Sequence, residues 1–355
     1  MKANLCRIYV GLILAFCLFF SVGAFFFGPD ADAEGRELSP MPALRTEEGK
    51  LNLAFTTQLE SAFADRFALR SELVTAQSIL RAGLFGTGNE KVIVGRGGYL
   101  FFGDTLDDYL GRNPMTDTEI EAAADALAQM SRFAKEQGAK FIFTAAPNKN
   151  TLYGEYMPAR YLPRTGESDM DRLFAALDVR EVDYLDLRSV LTAEDLYHKR
   201  DTHWNGEGAR MAYGGLMSAL NLPYDDYVDA PYQTVTDFPG DLDALLTPTL
   251  SRTDENVVYT LPEFAYTSNY VTPMDLIIST RCDTAPQRSA LIFRDSFGSA
   301  LIPYFSSAFS TVTYERANPY RIDQLTRKPA DVVIVEIAER NLRDLVGAAE
   351  RLAGK

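Results

Sequence analysis

The chain has 355 residues, of which 46% are hydrophobic, and its formal net charge at pH 7 is −14. An acidic chain without a basic stripe excludes nucleic acid as a partner, because its surface repels phosphate groups. Two histidines and three cysteines exclude a histidine-rich metal site, and tandem cysteine–histidine spacing is absent. Neither a metal nor a cofactor is therefore expected.

The first predicted element is a membrane-spanning helix at residues 8–27. These twenty residues carry no charge, and a helix of that length crosses a hydrocarbon core of about 30 Å. Lys2 and Arg7 precede the segment and acidic residues follow it, which favours a cytoplasmic N-terminus (1–7) and an extracytoplasmic remainder. The apolar run is longer than that of most cleaved signal peptides, so a single-pass signal-anchor is favoured over cleavage near Ala31-Asp32-Ala33.

A tether and a folded domain are predicted to follow. Residues 28–50 are rich in Pro, Gly, Asp and Glu and lack an apolar period, which is typical of a linker. The folded domain is predicted at 51–355. Because Cys282 is its only cysteine, a disulfide within it is excluded. Residues 51–84 have helical spacing, with one apolar stripe formed by Phe55, Leu59, Phe63, Phe67 and Val74.

Strands and helices alternate along the rest of the chain. Residues 92–102 predict a β-hairpin, and Thr116 with Glu119 predicts a capping box for a helix that closes near Gly138. Further strands are predicted at 140–146, 182–187, 290–294, 311–314 and 331–337, and further helices at 169–177, 206–220 and 297–308, with a loop-rich stretch before residue 290. This alternation predicts an α/β fold with a mostly parallel sheet covered on both faces.

Both histidines and the only tryptophan lie between His198 and Trp204. A serine hydrolase or acyltransferase needs an imidazole to take the proton of the nucleophile and a carboxylate to hold the ring in one tautomer. His203 is therefore the candidate general base and Asp201 its orienting carboxylate. Alternatively, Asp201 is the N-cap of the following helix or of the turn before it, His203 a core histidine and Trp204 a packing residue. His198 is expected to be structural or to lie at the edge of the substrate.

Ser296 is the candidate nucleophile. It follows the predicted strand at 290–294 and precedes a predicted helix. The carboxyl ends of strands form the site in open α/β sheets, and amides at a helix N-terminus can stabilise an oxyanion. The alternative is an ordinary N-cap serine. The presence of the Asp201–His203 pair elsewhere in the chain favours the role of nucleophile for Ser296.

Several other polar residues stand at predicted strand ends. Asn148 and Lys149 follow the strand at 140–146 and are candidates to donate to a substrate oxygen or an oxyanion, the alternative being an Asn-rich turn. Arg340 and Asn341 follow the last strand and are similar candidates, although such charged residues usually lie at the surface. The full set of residues expected near the substrate or the oxyanion is Asn148, Lys149, Trp204, Arg294, Arg340 and Asn341.

These segments together resemble the alginate O-acetyltransferase family, the AlgX/AlgJ-like branch of the SGNH hydrolases. The resemblance rests on Asp201-Thr202-His203-Trp204, Arg294-Asp295-Ser296-Phe297 and Pro147-Asn148-Lys149, and it extends over most of the chain from residue 51. It implies an SGNH-hydrolase-like (flavodoxin-like) three-layer domain that is circularly permuted, so that the serine follows the Asp–His pair. It also implies that Asp201, His203 and Ser296 form the catalytic triad.

The resemblance implies a membrane-anchored O-acetyltransferase that acts outside the cytoplasmic membrane. Its acceptor would be a hydroxyl of an exopolysaccharide or cell-wall glycan, and its partner a membrane-bound O-acyltransferase that delivers the acyl group. A carbohydrate acetylesterase and a non-catalytic glycan-binding or scaffold subunit are the alternatives. Triad residues do not separate transfer from hydrolysis, because acceptor access and water exclusion decide between them.

Overall fold

The computed structural model describes residues 2–26, 38–46, 48–66, 69–250 and 252–349. The chain divides into two compact units, the first comprising residues 1–94 and 239–252 and the second residues 95–238 and 253–355. The predicted linker is described only at 38–46 and 48–50, and its other residues lie outside the described ones. The predicted start of a folded domain at residue 51 stays a prediction.

The first unit is mainly helical. Its elements are α1 (Lys2–Phe26), α2 (Phe55–Asp65), α3 (Arg70–Phe85), the strand β1 (Val92–Val94) and, from the returning segment, α9 (Asp241–Leu246). The predicted membrane segment ends at Phe27, which lies outside the described residues. Within the described part of the chain, no helix combines the length and the apolar character needed to cross a membrane.

The helical segment predicted at 51–84 is interrupted, because α2 ends at Asp65 and α3 begins at Arg70. The apolar stripe of α2 faces outward in part, with Leu59 37% and Phe63 41% exposed. Helix α3 buries a hydroxyl-bearing face that includes Thr75, whose Oγ1 accepts a hydrogen bond of 3.1 Å from the amide of Thr249. The sequence pattern thus predicted the helical conformation correctly. It did not predict the break between α2 and α3, or that α3 buries its hydroxyl-bearing face.

A mixed seven-stranded sheet forms the centre of the second unit. Its strand order is β4-β3-β11-β9-β10-β8-β7. The strands are β3 (Lys140–Ala146), β4 (Tyr184–Asp186), β7 (Ala265–Tyr266), β8 (Ile277–Arg281), β9 (Ser289–Phe293), β10 (Thr311–Glu315) and β11 (Val332–Ala338). The first five in this order are parallel, whereas β8 is antiparallel to β10 and to β7.

Three buried strands, β3, β11 and β9, are parallel neighbours in this sheet. In the register of the sheet, Val335 of β11 lies between Phe143 of β3 and Phe293 of β9. All three side chains point to one face, because residues that pair directly in a sheet share a face. They belong to a single buried hydrophobic cluster. The carboxyl ends of β3, β11 and β9 therefore meet at one edge of the sheet.

Two capped helices cover this face. Helix α5 (Asp117–Glu136) begins with the predicted capping box of Thr116 and Glu119, and α7 (Asp169–Val179) begins with a second box formed by Ser168 and Asp171. Their buried side chains, including Leu127 and Leu173, join the same cluster. Reciprocal capping satisfies orphan amides at each helix start, which is why the sequence pattern located α5 correctly.

The opposite side of the unit is built from α8 (Gly206–Ala219) and α10 (Ile302–Ala308). Tyr213 of α8 packs edge-on against Phe305 of α10, with ring centroids 5.2 Å apart. The helix predicted at 297–308 is in fact a 3-10 helix (Phe297–Leu301) followed by α10. Together these elements form an α/β fold with a mixed central sheet.

The stretch predicted as loop-rich contains four strands. Besides β7 and β8, it holds β5 (Tyr232–Pro239) and β6 (Thr253–Tyr259), which pair as a separate two-stranded sheet. Most side chains of β5 are exposed, and none of β5 or β6 is fully buried. A strand without a buried face carries no alternating apolar pattern, so no periodic pattern predicted this pair.

Glycine is needed at the point where α8 meets β6. A Cβ at Gly206 would lie 1.8 Å from the carbonyl oxygen of Val257, whereas a Cβ at Gly214 of the same helix would lie 3.6 Å from its nearest neighbour, Tyr224. We expect Gly206→Ala to lower the free energy of unfolding by about 1–3 kcal/mol, because the backbone must move apart. The measurement is chemical denaturation of the full chain.

The matched control is Gly214→Ala, which we expect to raise the free energy of unfolding by about 0.5–1 kcal/mol, because alanine reduces the entropy of the unfolded chain. If both variants were equally stabilised, the close approach of α8 to β6 would be wrong.

Candidate active site

Ser296 lies directly after the carboxyl end of β9, at the start of the 3-10 helix. In the described structure its side chain makes no capping hydrogen bond. Its Oγ instead lies 2.8 Å from Nε2 of His203. The N-cap alternative therefore does not describe this serine.

His203 lies between Ser296 and Asp201. Its Nδ1 is 2.7 Å from Oδ1 of Asp201, and its amide donates to the same oxygen at 2.9 Å. A carboxylate only accepts hydrogen bonds, so this contact places the proton on Nδ1 and leaves the Nε2 lone pair towards Ser296. Asp201 is 5% exposed, and the N-cap of α8 is Asn205, whose side chain accepts from the amide of Gly208. Asp201 is therefore not the N-cap of α8.

Phe297 packs against the ring of His203, with centroids 4.7 Å apart. On another side it meets Trp204 edge-on at 5.0 Å. Trp204 is 2% exposed, and in the described structure its Nε1 has no hydrogen-bond partner. Trp204 thus packs beside the imidazole, as the packing alternative stated. The contribution of Phe297 was not predicted, although it directly follows the candidate nucleophile.

Lys149 anchors the loop that carries the Asp–His pair. Its ammonium donates to the carbonyl oxygens of His198 (3.0 Å), Lys199 (3.1 Å) and Asp201 (2.6 Å). An ammonium has three donors, and Lys149 is buried. Its predicted contact with a substrate oxygen is therefore replaced by a contact with the loop backbone.

Asn148 and Asn341 also direct their amide groups to the protein. Nδ2 of Asn148 donates to Asp108 at 3.1 Å, and Nδ2 of Asn341 donates to Asp295 at 3.1 Å. Both residues lie at the predicted edge of the sheet, but each holds a neighbouring carboxylate. Their predicted role as oxyanion donors is not supported by these contacts.

Asp295 joins the ends of two strands beneath Ser296. Its Oδ1 accepts from the amide of Phe297 at 2.9 Å, and its Oδ2 accepts from the amide of Ala338 at 2.7 Å. The second contact links the carboxyl end of β9 to that of β11. The contact with Phe297 occupies one of the backbone amides at the start of the 3-10 helix.

The two candidate arginines lie in different surroundings. Arg294 is 2% exposed and donates to the carbonyl oxygen of Pro273 at 2.6 Å and to Oγ of Ser299 at 2.9 Å. Burial, and next the charge of Arg316, lower the pKa of Arg294 to about 10. Arg340 is partly exposed, and its guanidinium lies 5.2 Å from the ring centroid of Phe297. Of the two, Arg340 lies beside the ring that supports His203.

Glu336 is a carboxyl group buried below the serine turn. It is fully buried, and burial raises its pKa well above the usual range, which favours its neutral form. Its Oε2 accepts from the amide of Asp295 at 3.2 Å. A Cβ at Gly298 would lie 2.8 Å from Oε2 of Glu336 and 2.6 Å from Cβ of Arg294, so this turn requires glycine.

His198 has a structural position. Its ring stacks on Phe238 of β5 with centroids 3.8 Å apart, and its amide donates to the carbonyl oxygen of His203 at 3.2 Å. Burial lowers the pKa of His198, which favours the neutral ring. This agrees with the expectation of a local structural role.

A cleft of about 440 Å³ lies beside Ser296 and His203. Its walls come from β5 and β6, from the segment before β8, and from the start of the 3-10 helix and α10. The apolar side chains among them are Phe238, Val257, Val258, Leu261, Pro273, Met274, Ala300 and Pro303. None of these residues was predicted. The only signal in the sequence was the apolar pair at 257–258.

A second buried carboxyl group, Glu339, lies after β11. Its Oε2 accepts from the amide of Asn148 at 2.7 Å and from Oγ1 of Thr151 at 2.6 Å. Burial, and next the carboxylate of Asp108, raise the pKa of Glu339 to about 7. A carboxyl group whose pKa is raised on folding holds its proton more tightly in the folded state. The stability of the fold therefore decreases as pH rises from about 4.5 to about 7.

We expect Glu339→Gln to weaken this pH dependence. We compare the two proteins by the free energy of unfolding of the variant minus that of the original chain. Between about pH 5 and about pH 8 this difference should increase by on the order of 1–3 kcal/mol, because glutamine has no charge to bury. The measurement is chemical denaturation at both pH values. Exposed Glu167 provides the control, Glu167→Gln, which should leave the pH dependence unchanged. An unchanged dependence in Glu339→Gln would contradict this assignment.

Residues 92–269, half of the chain, match the family model described as "SGNH hydrolase-like domain, acetyltransferase AlgX". The match contains Asp201, His203 and Trp204 and ends before Ser296. No curated protein matches the sequence.

Solved structures share the fold at low sequence identity. A DHHW family protein from Eubacterium siraeum is 16% identical, with 74% of this chain and 96% of that chain covered and a TM-score of 0.54. PatB1 from Bacillus cereus is 17% identical, with coverage of 71% and 96% and a TM-score of 0.56. The O-acetyltransferase domain of AlgJ from Pseudomonas putida is 19% identical, with coverage of 71% and 92% and a TM-score of 0.50. These likenesses show the fold, and the family match shows that the chain belongs to the AlgX family of SGNH hydrolase-like acetyltransferases.

Proposed function

We propose that this protein is a membrane-anchored, extracytoplasmic O-acetyltransferase that uses Ser296, His203 and Asp201 as a catalytic triad. Its acceptor is a hydroxyl group of an exopolysaccharide or cell-wall glycan. The observation that carries the proposal is the continuous contact from Ser296 Oγ to His203 Nε2 (2.8 Å) and from His203 Nδ1 to Asp201 Oδ1 (2.7 Å). Nucleophile, base and orienting carboxylate lie in the order that acyl transfer through a serine requires.

The first half-reaction forms an acyl-enzyme. Ser296 Oγ attacks the carbonyl carbon of an activated acyl donor while His203 Nε2 takes the hydroxyl proton. Asp201 stabilises the resulting imidazolium. The bond from the carbonyl carbon to the leaving group then breaks, and His203 returns the proton to that group.

The second half-reaction reverses these roles on the acceptor. His203 takes the proton of a glycan hydroxyl, whose oxygen attacks the acyl carbon of the Ser296 ester. The new ester forms as the bond to Ser296 Oγ breaks, and the serine regains the proton from His203. The same steps with water as acceptor would make the protein an esterase.

The developing oxyanion requires donors near Ser296. The amides of Asp295, Phe297 and Ser299 already donate within the protein. The amides of Ser296 and Gly298 are therefore the candidates. Arg340 contributes positive charge beside Phe297, which favours a negatively charged intermediate in a partly desolvated site. Removing Arg340 would then weaken transfer without dismantling the triad.

Anchoring and partnership are part of the proposal. The uncharged run at 8–27 supports a single-pass anchor, and a membrane-bound O-acyltransferase is the proposed supplier of the acyl group.

The triad is tested by incubating the purified full chain with p-nitrophenyl acetate and following the mass of the protein. We expect an acetyl group on Ser296, located by peptide mapping. Ser296→Ala should abolish it, and His203→Ala should lose nearly as much because the hydroxyl stays protonated. Asp201→Asn should cost about 10³–10⁴-fold by favouring the wrong imidazole tautomer. A double variant should be scarcely worse than either single one, since triad members act as a unit.

Exposed Ser189 provides the control Ser189→Ala, which should label as the original chain does. Adding candidate oligosaccharides then separates the reaction classes by the fate of the acetyl group. Acetylated sugar indicates transfer, and free acetate alone indicates an esterase. Retained acetylation of the polymer in cells that carry Ser296→Ala would mean that a partner does the chemistry and that this chain is a scaffold.

A further inference from the structure

The cleft beside Ser296 is much larger than an acetyl group requires. An acetyl group has a single methyl carbon beyond its carbonyl, whereas the cleft measures about 440 Å³. At roughly 30 Å³ for a group the size of a water molecule, this space holds on the order of ten such groups. The cleft therefore has room for a substantially longer substituent.

Most polar side chains of the wall already bond to the protein. Oδ1 of Asn256 accepts from the amide of Gly206 at 2.8 Å, and the hydroxyl of Tyr304 donates to the carbonyl oxygen of Gly206 at 2.8 Å. The hydroxyl of Tyr259 donates to Glu207. A hydroxyl-rich guest placed among these groups would lose hydrogen bonds to water without replacing them.

Two further polar side chains of the wall are similarly occupied. Ser299 donates to the carbonyl oxygen of Pro273 at 3.1 Å and accepts from Arg294 at 2.9 Å. Asn205 accepts from the amide of Gly208 at 3.0 Å and donates to the carbonyl oxygen of Asp195 at 2.6 Å. The surface that remains is largely hydrocarbon, from the valines of β6, Met274, Ala300 and Pro303.

We propose that this cleft binds the alkyl chain of an acyl group longer than acetyl. Ser296 would then accept acyl groups of medium length, about four to eight carbons, from an activated ester. This inference rests on the proposed function, because the chain is held only while Ser296 attacks its carbonyl or carries it as an ester. Atoms balance as in acetyl transfer, with the proton of Ser296 passing through His203 to the leaving group.

The test compares p-nitrophenyl acetate, butyrate, hexanoate and octanoate with the full chain, after subtraction of the rate of Ser296→Ala. Because the leaving group is constant, only the acyl chain varies. Each methylene that enters the cleft should raise kcat/KM about threefold, since burial of a methylene is worth about 0.8 kcal/mol at most. Mass spectrometry should locate the longer acyl group on Ser296.

A cleft-filling variant gives the second measurement. Ala300 is half-buried in the wall, and Ala300→Leu should lower the ratio of kcat/KM for hexanoate over acetate by about tenfold, because the added carbons occupy the space of the chain. Met274→Ala widens the wall and should move the preferred chain length upward. Ala175 is exposed on α7, and Ala175→Leu is the matched control whose ratio should not change.

Two outcomes would overturn the inference while leaving the triad intact. In the first, p-nitrophenyl acetate labels Ser296, but kcat/KM stays constant or falls as the acyl chain lengthens from acetate to hexanoate. In the second, kcat/KM increases only when the leaving group is enlarged, from phenyl acetate to 2-naphthyl acetate. That result would assign the cleft to the leaving group of the donor. If no ester labels Ser296, the proposed function itself fails and the inference fails with it.

Discussion

One buried ammonium group holds the loop that carries Asp201 and His203 in place. A charged group of this kind costs several kcal/mol to remove from water unless it is paired, and Lys149 meets that cost with three carbonyl oxygens of the loop from His198 to Asp201. Lys149 follows β3, whereas the loop lies between β4 and α8. The contact therefore holds the loop from His198 to Asp201 close to the carboxyl ends of the strands, where Ser296 follows β9. The distances between Asp201, His203 and Ser296 depend on it.

The opposite side of the site depends on carboxyl groups. Asp295 binds amides from its own turn and from Ala338, and its own amide is bound by Glu336. These contacts fix the ends of β9 and β11 to one another directly below the nucleophile. Such bonds satisfy backbone groups that the strands leave unpaired where they end. The serine turn is thus held by backbone contacts, which frees the Ser296 hydroxyl for His203.

Sequence reasoning found the residues whose chemistry is local and missed those whose role depends on distant partners. Asp201 and His203 are two positions apart, and the box that caps α5 is complete within four residues, so short sequence patterns indicate both. Lys149 illustrates the opposite case, because nothing in its neighbourhood indicates that its side chain turns back to a loop fifty positions away. Strands β5 and β6 were missed since their exposed faces give no periodic signal. For that reason the apolar cleft that they wall was missed as well.

The character of that cleft bears on whether an acyl-enzyme reacts with water or with a sugar. A water molecule is held in a protein cavity by two to four polar partners, and here Asn256, Tyr304 and Ser299 of the wall are already hydrogen-bonded to backbone groups of the protein. Water in such a cleft is weakly held, and an alkyl chain that entered would displace it. The attacking hydroxyl must still reach His203 Nε2. Exclusion of water from the ester, and access of an acceptor hydroxyl to it, together decide between transfer and hydrolysis.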